Sequence, residues 1–450
     1  MKARVLVSAA VLLVVAVVGA LLLLAPRRPE WTTSSPRALA EFNLGLDALQ
    51  KVYHNEAAKH FRRALELDPT FVAAKRFLLA ALQLPSTDPE AKRLLGELEK
   101  ADLSKLTDRE RFLVSAAIAD QGKDAVKYEQ LAKGFAARHP DDAYALEALA
   151  NVATARQDWA EAKRLLTRLI EVAPNRVSAY NALGYMEMGQ GQFAASEKMF
   201  ETYRYIAPDQ ANPHDSLGEL LILTGQYGRA TQELERALAI KPDFCASYQH
   251  LAALALMVGR LDDARTAIAR AESTGACSPY MLKVLRCQLA SWPLFLAGDW
   301  KGVWNAEQGA CADDEVNDHV LDVWAAIAAG RRADADALVA KSRERLAKIP
   351  VSAPGRGMTE AVTAHLEGAI LLSEGKPAEA AERFRLADQG LTYGQLGPGI
   401  FKLINRFVLA RALRAAGHPD QADGVLAEAR AVNPALADRL SKAISLALGS

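Results

Sequence analysis

Hydrophobic and polar positions follow helical spacing along much of this chain, and in its middle third the pattern recurs at a constant interval. Leu149, Leu183, Leu217 and Leu251 are evenly spaced, and a small residue directly follows each of them. Further small and large apolar positions recur at the same interval in a second helix. A recurrence interval of about 34 residues indicates stacked pairs of helices. We therefore predict an all-α fold built from repeated helical hairpins.

Glycines mark two places in each predicted helix pair. Gly184 and Gly218 fall within the first helix, where glycine is about 1 kcal/mol less favourable than alanine. We expect close packing of the second helix to require them, because a side chain there would push the two helices apart. Gly191, Gly225 and Gly259 fall between the helices, where a positive φ ends the first helix. A proline closes each unit, since proline cannot continue a helix.

These positions resemble a known repeat signature. In one unit they are Leu183, Gly184, Phe193, Ser196, Phe200 and Pro208. The pattern is similar to the tetratricopeptide repeat across residues 143–276, with outlying units at 44–69 and 409–434. The resemblance implies one continuous α-solenoid, a right-handed superhelix of helical hairpins. The stretches LSKLTDRERFLVSA and PDQANPHDSLGE also resemble repeat regions of bacterial membrane-anchored tetratricopeptide proteins.

The N-terminus differs in kind from the repeats. Residues 5–25 form an uncharged apolar run, and about twenty helical residues span the roughly 30 Å of a bilayer core. We predict an N-terminal transmembrane anchor at residues 1–25, with a cleaved signal peptide as the alternative. The short basic tail before the run favours a periplasmic solenoid, and a cytoplasmic solenoid is the alternative. Residues 26–36 are predicted to form a polar spacer.

The rest of the chain divides by how regular the repeat is. We predict a solenoid over residues 37–276, most regular from 143, and divergent helical hairpins over 277–434. Residues 435–450 are expected to form a C-terminal capping helix, because the end of a solenoid needs a more polar outer face.

The charge balance and the absence of catalytic motifs limit the functions that this chain is expected to have. Lysine plus arginine equals aspartate plus glutamate at 54 each, so no basic excess points to nucleic acid. The sequence contains no phosphate-binding loop, zinc-protease motif, hydrolase elbow or dinucleotide fingerprint. The eight histidines have no metal-ligand spacing. We therefore predict a non-enzymatic protein that uses no cofactor and no metal.

Four cysteines lie in the second half of the chain without a C-x-x-C motif. In an oxidising compartment they can pair in three ways. We predict a disulfide between Cys277 and Cys311, on the argument that a hairpin brings the start of one helix near the end of the next. Buried free thiols are the alternative.

The resemblance implies that the first helix of each hairpin lines a concave groove that binds an extended segment of a partner protein. The outward positions of these helices are rich in amides, acids and tyrosine, which suit hydrogen bonding to a peptide backbone. They are Tyr144, Glu147, Asn151, Asn181, Tyr185, Asn212, Asp215, Glu219, Gln249 and His250. The acids Glu147, Asp215 and Glu219 favour a neutral or basic segment. A merely solvated helix face is the alternative.

These observations favour a membrane-tethered scaffold that acts in the assembly of an envelope or secretion complex. A docking or sensing arm on the cytoplasmic side is the second hypothesis. The third is a carbohydrate-binding or enzymatic role in residues 277–400, where Trp292, Trp300 and Trp304 gather.

Overall fold

The computed structural model describes residues 30–83, 88–312, 320–350 and 356–447. These residues form 23 α-helices, one short 3-10 helix at Leu103–Lys105 and no strand. The predicted all-α class is confirmed. No helix within the described ranges is both long and apolar enough to cross a membrane. The predicted anchor at residues 5–25 lies outside them.

The helices of the first half pair in sequence order. They are α1 (Pro36–Gln50), α2 (His54–Leu67), α3 (Val72–Leu82), α4 (Pro89–Glu99), α5 (Asp108–Gln121), α6 (Ala125–Arg138), α7 (Ala143–Ala155), α8 (Trp159–Val172), α9 (Ser178–Gly189), α10 (Phe193–Ile206), α11 (Ala211–Leu223) and α12 (Tyr227–Ile240).

The helices of the second half vary more in length. They are α13 (Cys245–Val258), α14 (Leu261–Ser273), α15 (Pro279–Ala297), α16 (Trp300–Gln308), α17 (Val320–Ala328), α18 (Arg332–Ala347), α19 (Arg356–Ser373), α20 (Pro377–Gly390), α21 (Leu396–Ala415), α22 (Pro419–Val432) and α23 (Pro434–Ala447).

Glycine makes the close contact inside the hairpins, as the sequence predicts. A Cβ atom added to Gly184 would lie 2.3 Å from the ring of Phe200, which is fully buried. Gly45 and Gly368 face Phe61 and Phe384 in the same way, each at the same sequence separation. The turn glycines are confirmed as well, and Gly259 ends α13 with φ of 81°.

Both disulfides differ from the predicted pairing of Cys277 with Cys311. Cys245 pairs with Cys277, and Cys287 pairs with Cys311. Cys245 begins α13 and Cys277 follows α14, so the two lie at the same end of one antiparallel hairpin, with Cα atoms 4.9 Å apart. Cys287 and Cys311 lie opposite each other across the hairpin of α15 and α16. Each bond therefore closes a single hairpin.

The C-terminal helices turn back onto the regular repeats. α21 packs against α11, and α23 packs against α15, α17 and α21. Asn433, which precedes α23, donates from its side-chain amide to the carbonyl oxygens of Ile222 and Leu223 at 3.2 Å. Every residue of α11 is buried, because the C-terminal helices pack over it. The array is thus covered in its middle by its own distant end.

Candidate binding groove

One stretch of the inner face remains open, and we call it the open groove. It encloses about 1460 Å³. The first helices of successive hairpins, α1, α3, α5 and α7, supply about half of its lining. The start of α6 and residues near Lys348, Arg356 and Thr392 also line it. Its polar and aromatic side chains include Arg76, Tyr128, Tyr144, Glu147, Asn151 and Arg176. Three predicted groove residues, Tyr144, Glu147 and Asn151, therefore line one open cleft.

Tyr144 stands at the centre of an aromatic and cationic cluster. Its ring lies 6.2 Å from the rings of both Trp31 and Phe77. The Arg176 guanidinium carbon lies 4.2 Å from the Tyr144 ring centroid, within cation–π range. Burial raises the pKa of Tyr144, so its hydroxyl keeps its proton at neutral pH. Tyr144 can therefore donate a hydrogen bond while its ring offers contact area.

The predicted spacer before α1 is docked on the protein where the structure describes it. Trp31 is only 4 % exposed and packs edge-on against Phe42 and Phe77. The backbone N–H and the hydroxyl of Thr32 both donate to the carboxylate of Glu110, at 2.7 and 2.5 Å. A single tryptophan in a polar stretch carries no periodic signal, so the sequence pattern missed this anchor.

The remaining lining side chains are mostly paired with one another. Arg176 donates to Glu147 at 2.7 Å, and Arg156 pairs with Glu129. Arg76 is different, because its side chain forms no hydrogen bond or salt bridge within the described residues and its Nε atom is buried without a partner. Its guanidinium carbon lies 4.4 Å from the ring centroid of Phe77.

Four other predicted residues meet in what we call the buried cluster: Tyr185, Asp215, Glu219 and His250. His250 Nδ1 lies 3.0 Å from Asp215 Oδ1, and its Nε2 lies 3.7 Å from Glu219 Oε1. The Tyr185 hydroxyl donates to Glu219 Oε2 at 2.7 Å. We predicted that these side chains face an open groove. Instead, Asp215 is 3 % and Glu219 is 5 % exposed.

The buried cluster is covered because the C-terminal part of the chain lies over α11. The backbone N–H of Leu396 donates to Glu219 Oε1 at 2.6 Å, and the N–H of Tyr393 donates to the Gly189 carbonyl at 3.3 Å. Leu396 begins α21, which is separated from Glu219 by 177 residues. Local periodicity does not report contacts at that separation, so the pattern predicts solvent exposure for polar positions there.

Electrostatics hold the buried cluster together. Burial alone lowers the pKa of His250, but the charges of Asp215 and Glu219 outweigh burial and raise it to about 9. Burial, followed by the same two charges, raises the pKa of Tyr185 well above its usual range. Ser247 donates to Asp215 Oδ1 at 2.8 Å, the same oxygen that faces His250. This geometry forms an internal ion-pair network rather than a serine nucleophile activated by histidine.

The last three predicted residues are scattered. Asn212 is buried and donates to the Tyr203 hydroxyl oxygen at 3.2 Å. The Gln249 amide lies 3.0 Å from Cys245 Sγ. The side-chain oxygen of Asn181 is buried without a partner. None of them lines the open groove or belongs to the buried cluster. The predicted set therefore does not form one continuous surface.

The tryptophans of residues 277–400 do not form an exposed platform. Trp300 is 6 % exposed and its indole N–H donates to the Ala443 carbonyl at 3.3 Å. Trp292 packs edge-on against Phe295, and the Arg331 guanidinium carbon lies 4.3 Å from the Trp304 ring centroid. These tryptophans are therefore packed on the hydrophobic core. They do not offer the exposed aromatic surface on which the carbohydrate-binding hypothesis was based.

Potential metal ligands lie together at one place in the described chain. Ligand atoms of Cys287, Glu307 and Cys311 all lie within 4.8 Å of one another. The two sulfur atoms are bonded to each other, so they are not thiolates that could bind a metal. The group therefore belongs to the hairpin disulfide.

Within the described residues, the fold and the groove define a helical-hairpin repeat protein with an open inner cleft. Residues 145–176, which cover most of the hairpin of α7 and α8, match the family model described as tetratricopeptide repeat. The chain thus contains a tetratricopeptide repeat, at the position where the sequence resemblance is strong. No curated protein sequence matches the chain.

Three solved structures share part of the fold. The APC/C hetero-tetramer Cut9–Hcn1 is 15 % identical, over 94 % of this chain and 80 % of that one, with a TM-score of 0.49. PilW, a widely conserved type IV pilus biogenesis factor, is 18 % identical over 46 % and 94 %, with a TM-score of 0.38. A tetratricopeptide repeat protein from Parabacteroides merdae is 15 % identical over 68 % and 99 %, with a TM-score of 0.37. Because these scores lie below 0.5, the likenesses carry no functional argument.

Proposed function

We propose that this protein is a membrane-tethered, non-enzymatic scaffold that binds an extended segment of a partner protein in the open groove. The observation that carries the proposal is the cleft of about 1460 Å³ lined by Tyr144, Glu147 and Asn151. Tetratricopeptide-type hairpins stacked in series build long surfaces of this kind rather than enclosed catalytic pockets. The buried cluster does not take part in this function, because the chain itself covers it.

The lining of the open groove suits a peptide. Asn151 is exposed and offers an amide, and Tyr144 offers a hydroxyl and an aromatic face. A peptide backbone needs donors and acceptors at short intervals, while aromatic anchors supply most of the binding free energy. A hydrophobic ligand alone would leave these polar groups unpaired.

The binding proposal is tested by site-specific photocrosslinking in cells. A photoreactive residue replacing Asn151 should capture a defined partner, and Tyr144→Ala should reduce that adduct. Thr167, which is exposed on α8 and does not line the open groove, provides the matched control position. Equal adducts from both positions would refute groove binding.

The tether and the compartment rest on different observations. The apolar run at residues 5–25 is long enough to anchor the chain, and two disulfides favour an oxidising compartment. We therefore place the solenoid on the periplasmic side, in the assembly of an envelope or secretion complex. A C-terminal alkaline phosphatase fusion should be active, and a fluorescent protein fusion dark. The opposite pair of results would favour the cytoplasmic docking or sensing arm.

A further inference from the structure

The three acids that suggested a neutral or basic ligand do not present unpaired charge to the open groove. In the structure Glu147 is neutralised by Arg176 at 2.7 Å, and Asp215 and Glu219 lie buried beside His250. None of the three is an unpaired negative charge facing the open groove.

Arg76 is a cation of this cleft that has no ionic partner within the described residues. It lies on α3, and its side chain forms no salt bridge or hydrogen bond within the described residues, while its Nε atom is buried without a partner. Burial lowers the pKa of Arg76, which means that the surroundings disfavour the charged guanidinium. A buried cation normally requires an anionic partner.

The other arginines of the cleft already have such partners, and Lys123 is exposed to solvent. Arg156 pairs with Glu129, and Arg356 pairs with Glu360 at 2.7 Å. Asp120 is the remaining acid whose charge acts on Arg76, but it is exposed and makes no hydrogen bond to it. The positive charge of Arg76 is therefore available to a ligand.

Neutral donors stand around Arg76. Tyr128 lines the same cleft, and its hydroxyl can donate a hydrogen bond. Tyr144 brings a second hydroxyl to the same cleft. A guanidinium and two hydroxyl donors form a set that suits a carboxylate, which accepts several hydrogen bonds at once.

We propose that the open groove binds an extended partner segment through an internal aspartate or glutamate, whose carboxylate pairs with Arg76 while the backbone runs past Tyr144 and Asn151. The inference rests on the proposed function and adds the chemistry of the partner. It assigns Arg76 as the residue that sets specificity, a position absent from the predicted groove set.

The test is selection of peptides by full-length protein in detergent. One displayed random library carries the peptide between two flanking domains, so that only side chains offer carboxylates. A second library ends in a free C-terminus. Both are selected on the wild type, on Arg76→Met and on Arg156→Met. The last variant removes an exposed cation of the same cleft that already has a partner.

We expect internal-library binders enriched in Asp or Glu at one position. Their affinity should fall about 10- to 100-fold on Arg76→Met, the loss of one charge-assisted hydrogen-bonded pair, and less than about 3-fold on Arg156→Met. Enrichment confined to the free-C-terminus library would overturn the assignment to a side chain. Binders that show no acidic enrichment but still block the photocrosslinked adduct at Asn151 would refute this inference. They would leave the proposed function standing. The absence of any binder at Asn151 would refute both.

A second readout separates recognition from a structural role. If Arg76 serves a ligand, Arg76→Met should raise the melting temperature of the unliganded protein, because it removes a half-buried charge that has no ionic partner. A lower melting temperature would show that Arg76 supports the fold, and would overturn its assignment as a recognition residue.

Discussion

Raising the pH should weaken the fold through the loss of one charge, that of His250. A histidine in an unfolded chain titrates near 6.5, while the charges of Asp215 and Glu219 outweigh burial and raise the pKa of His250 to about 9. A pKa raised by folding means that the stabilisation is fully present below the unfolded value. It is then lost as the pH rises through the folded value.

The difference between the two pKa values sets the magnitude. A shift of about 2.5 units, at about 1.36 kcal/mol per unit, corresponds to about 3 kcal/mol. The free energy of unfolding should fall by about this amount between about pH 6 and about pH 10. Solvent screening reduces it little, because the His250 side chain is only 14 % exposed.

The assay is urea unfolding of full-length protein in detergent across this pH range, together with NMR of labelled histidine imidazoles. Asp215→Asn removes the carboxylate that lies 3.0 Å from His250 Nδ1. It should therefore lower the pKa of His250 and move the loss of stability to lower pH. An imidazole that titrates near 6.5 in the wild type would refute the reasoning. So would a pH dependence that His250→Gln leaves unchanged.

Three further predictions concern the fold. Gly184→Ala should destabilise by about 1–3 kcal/mol in urea unfolding, because the buried ring of Phe200 lies 2.3 Å from the new Cβ. Gly96→Ala, with no atom within 4 Å of its Cβ, is the matched control and should stabilise by about 0.5–1 kcal/mol. Trp31→Ala should cost about 3–5 kcal/mol and lower the melting temperature, as expected for an emptied core site. Peptide mapping of unreduced protein should recover the Cys245 disulfide, and Cys245→Ser should cost about 3–4 kcal/mol; a free Cys245 thiol would contradict the pairing.

Interactions inside one hairpin could be predicted from the sequence, because the repeat fixes them. The contact between Gly184 and Phe200 joins the two helices of one hairpin, and the same sequence separation joins Gly45 to Phe61. The positive φ of Gly259 also depends only on the turn that it closes. Such contacts recur in each repeat unit, so they can be predicted from the repeat in the sequence.

Interactions between distant hairpins could not be predicted in this way. Asp215 occupies the same repeat position as Glu147, and Glu219 the same position as Asn151. The C-terminal part of the chain covers Asp215 and Glu219 but leaves Glu147 and Asn151 in the open groove. Polar side chains satisfied by one another have the same sequence pattern as polar side chains in water. The pairing state of Arg76 likewise depends on which acids lie nearby in three dimensions.

The contact of Asn433 with the end of α11 has a consequence for how the chain is made. Repeat arrays ordinarily fold from neighbour to neighbour, but this contact joins residues 210 positions apart. At about 5–20 residues per second of synthesis, roughly 10–40 s separate the emergence of Leu223 from that of Asn433. Throughout that interval the apolar surface of α11 lacks its cover. The nascent protein should therefore depend on holding chaperones before its native topology can close.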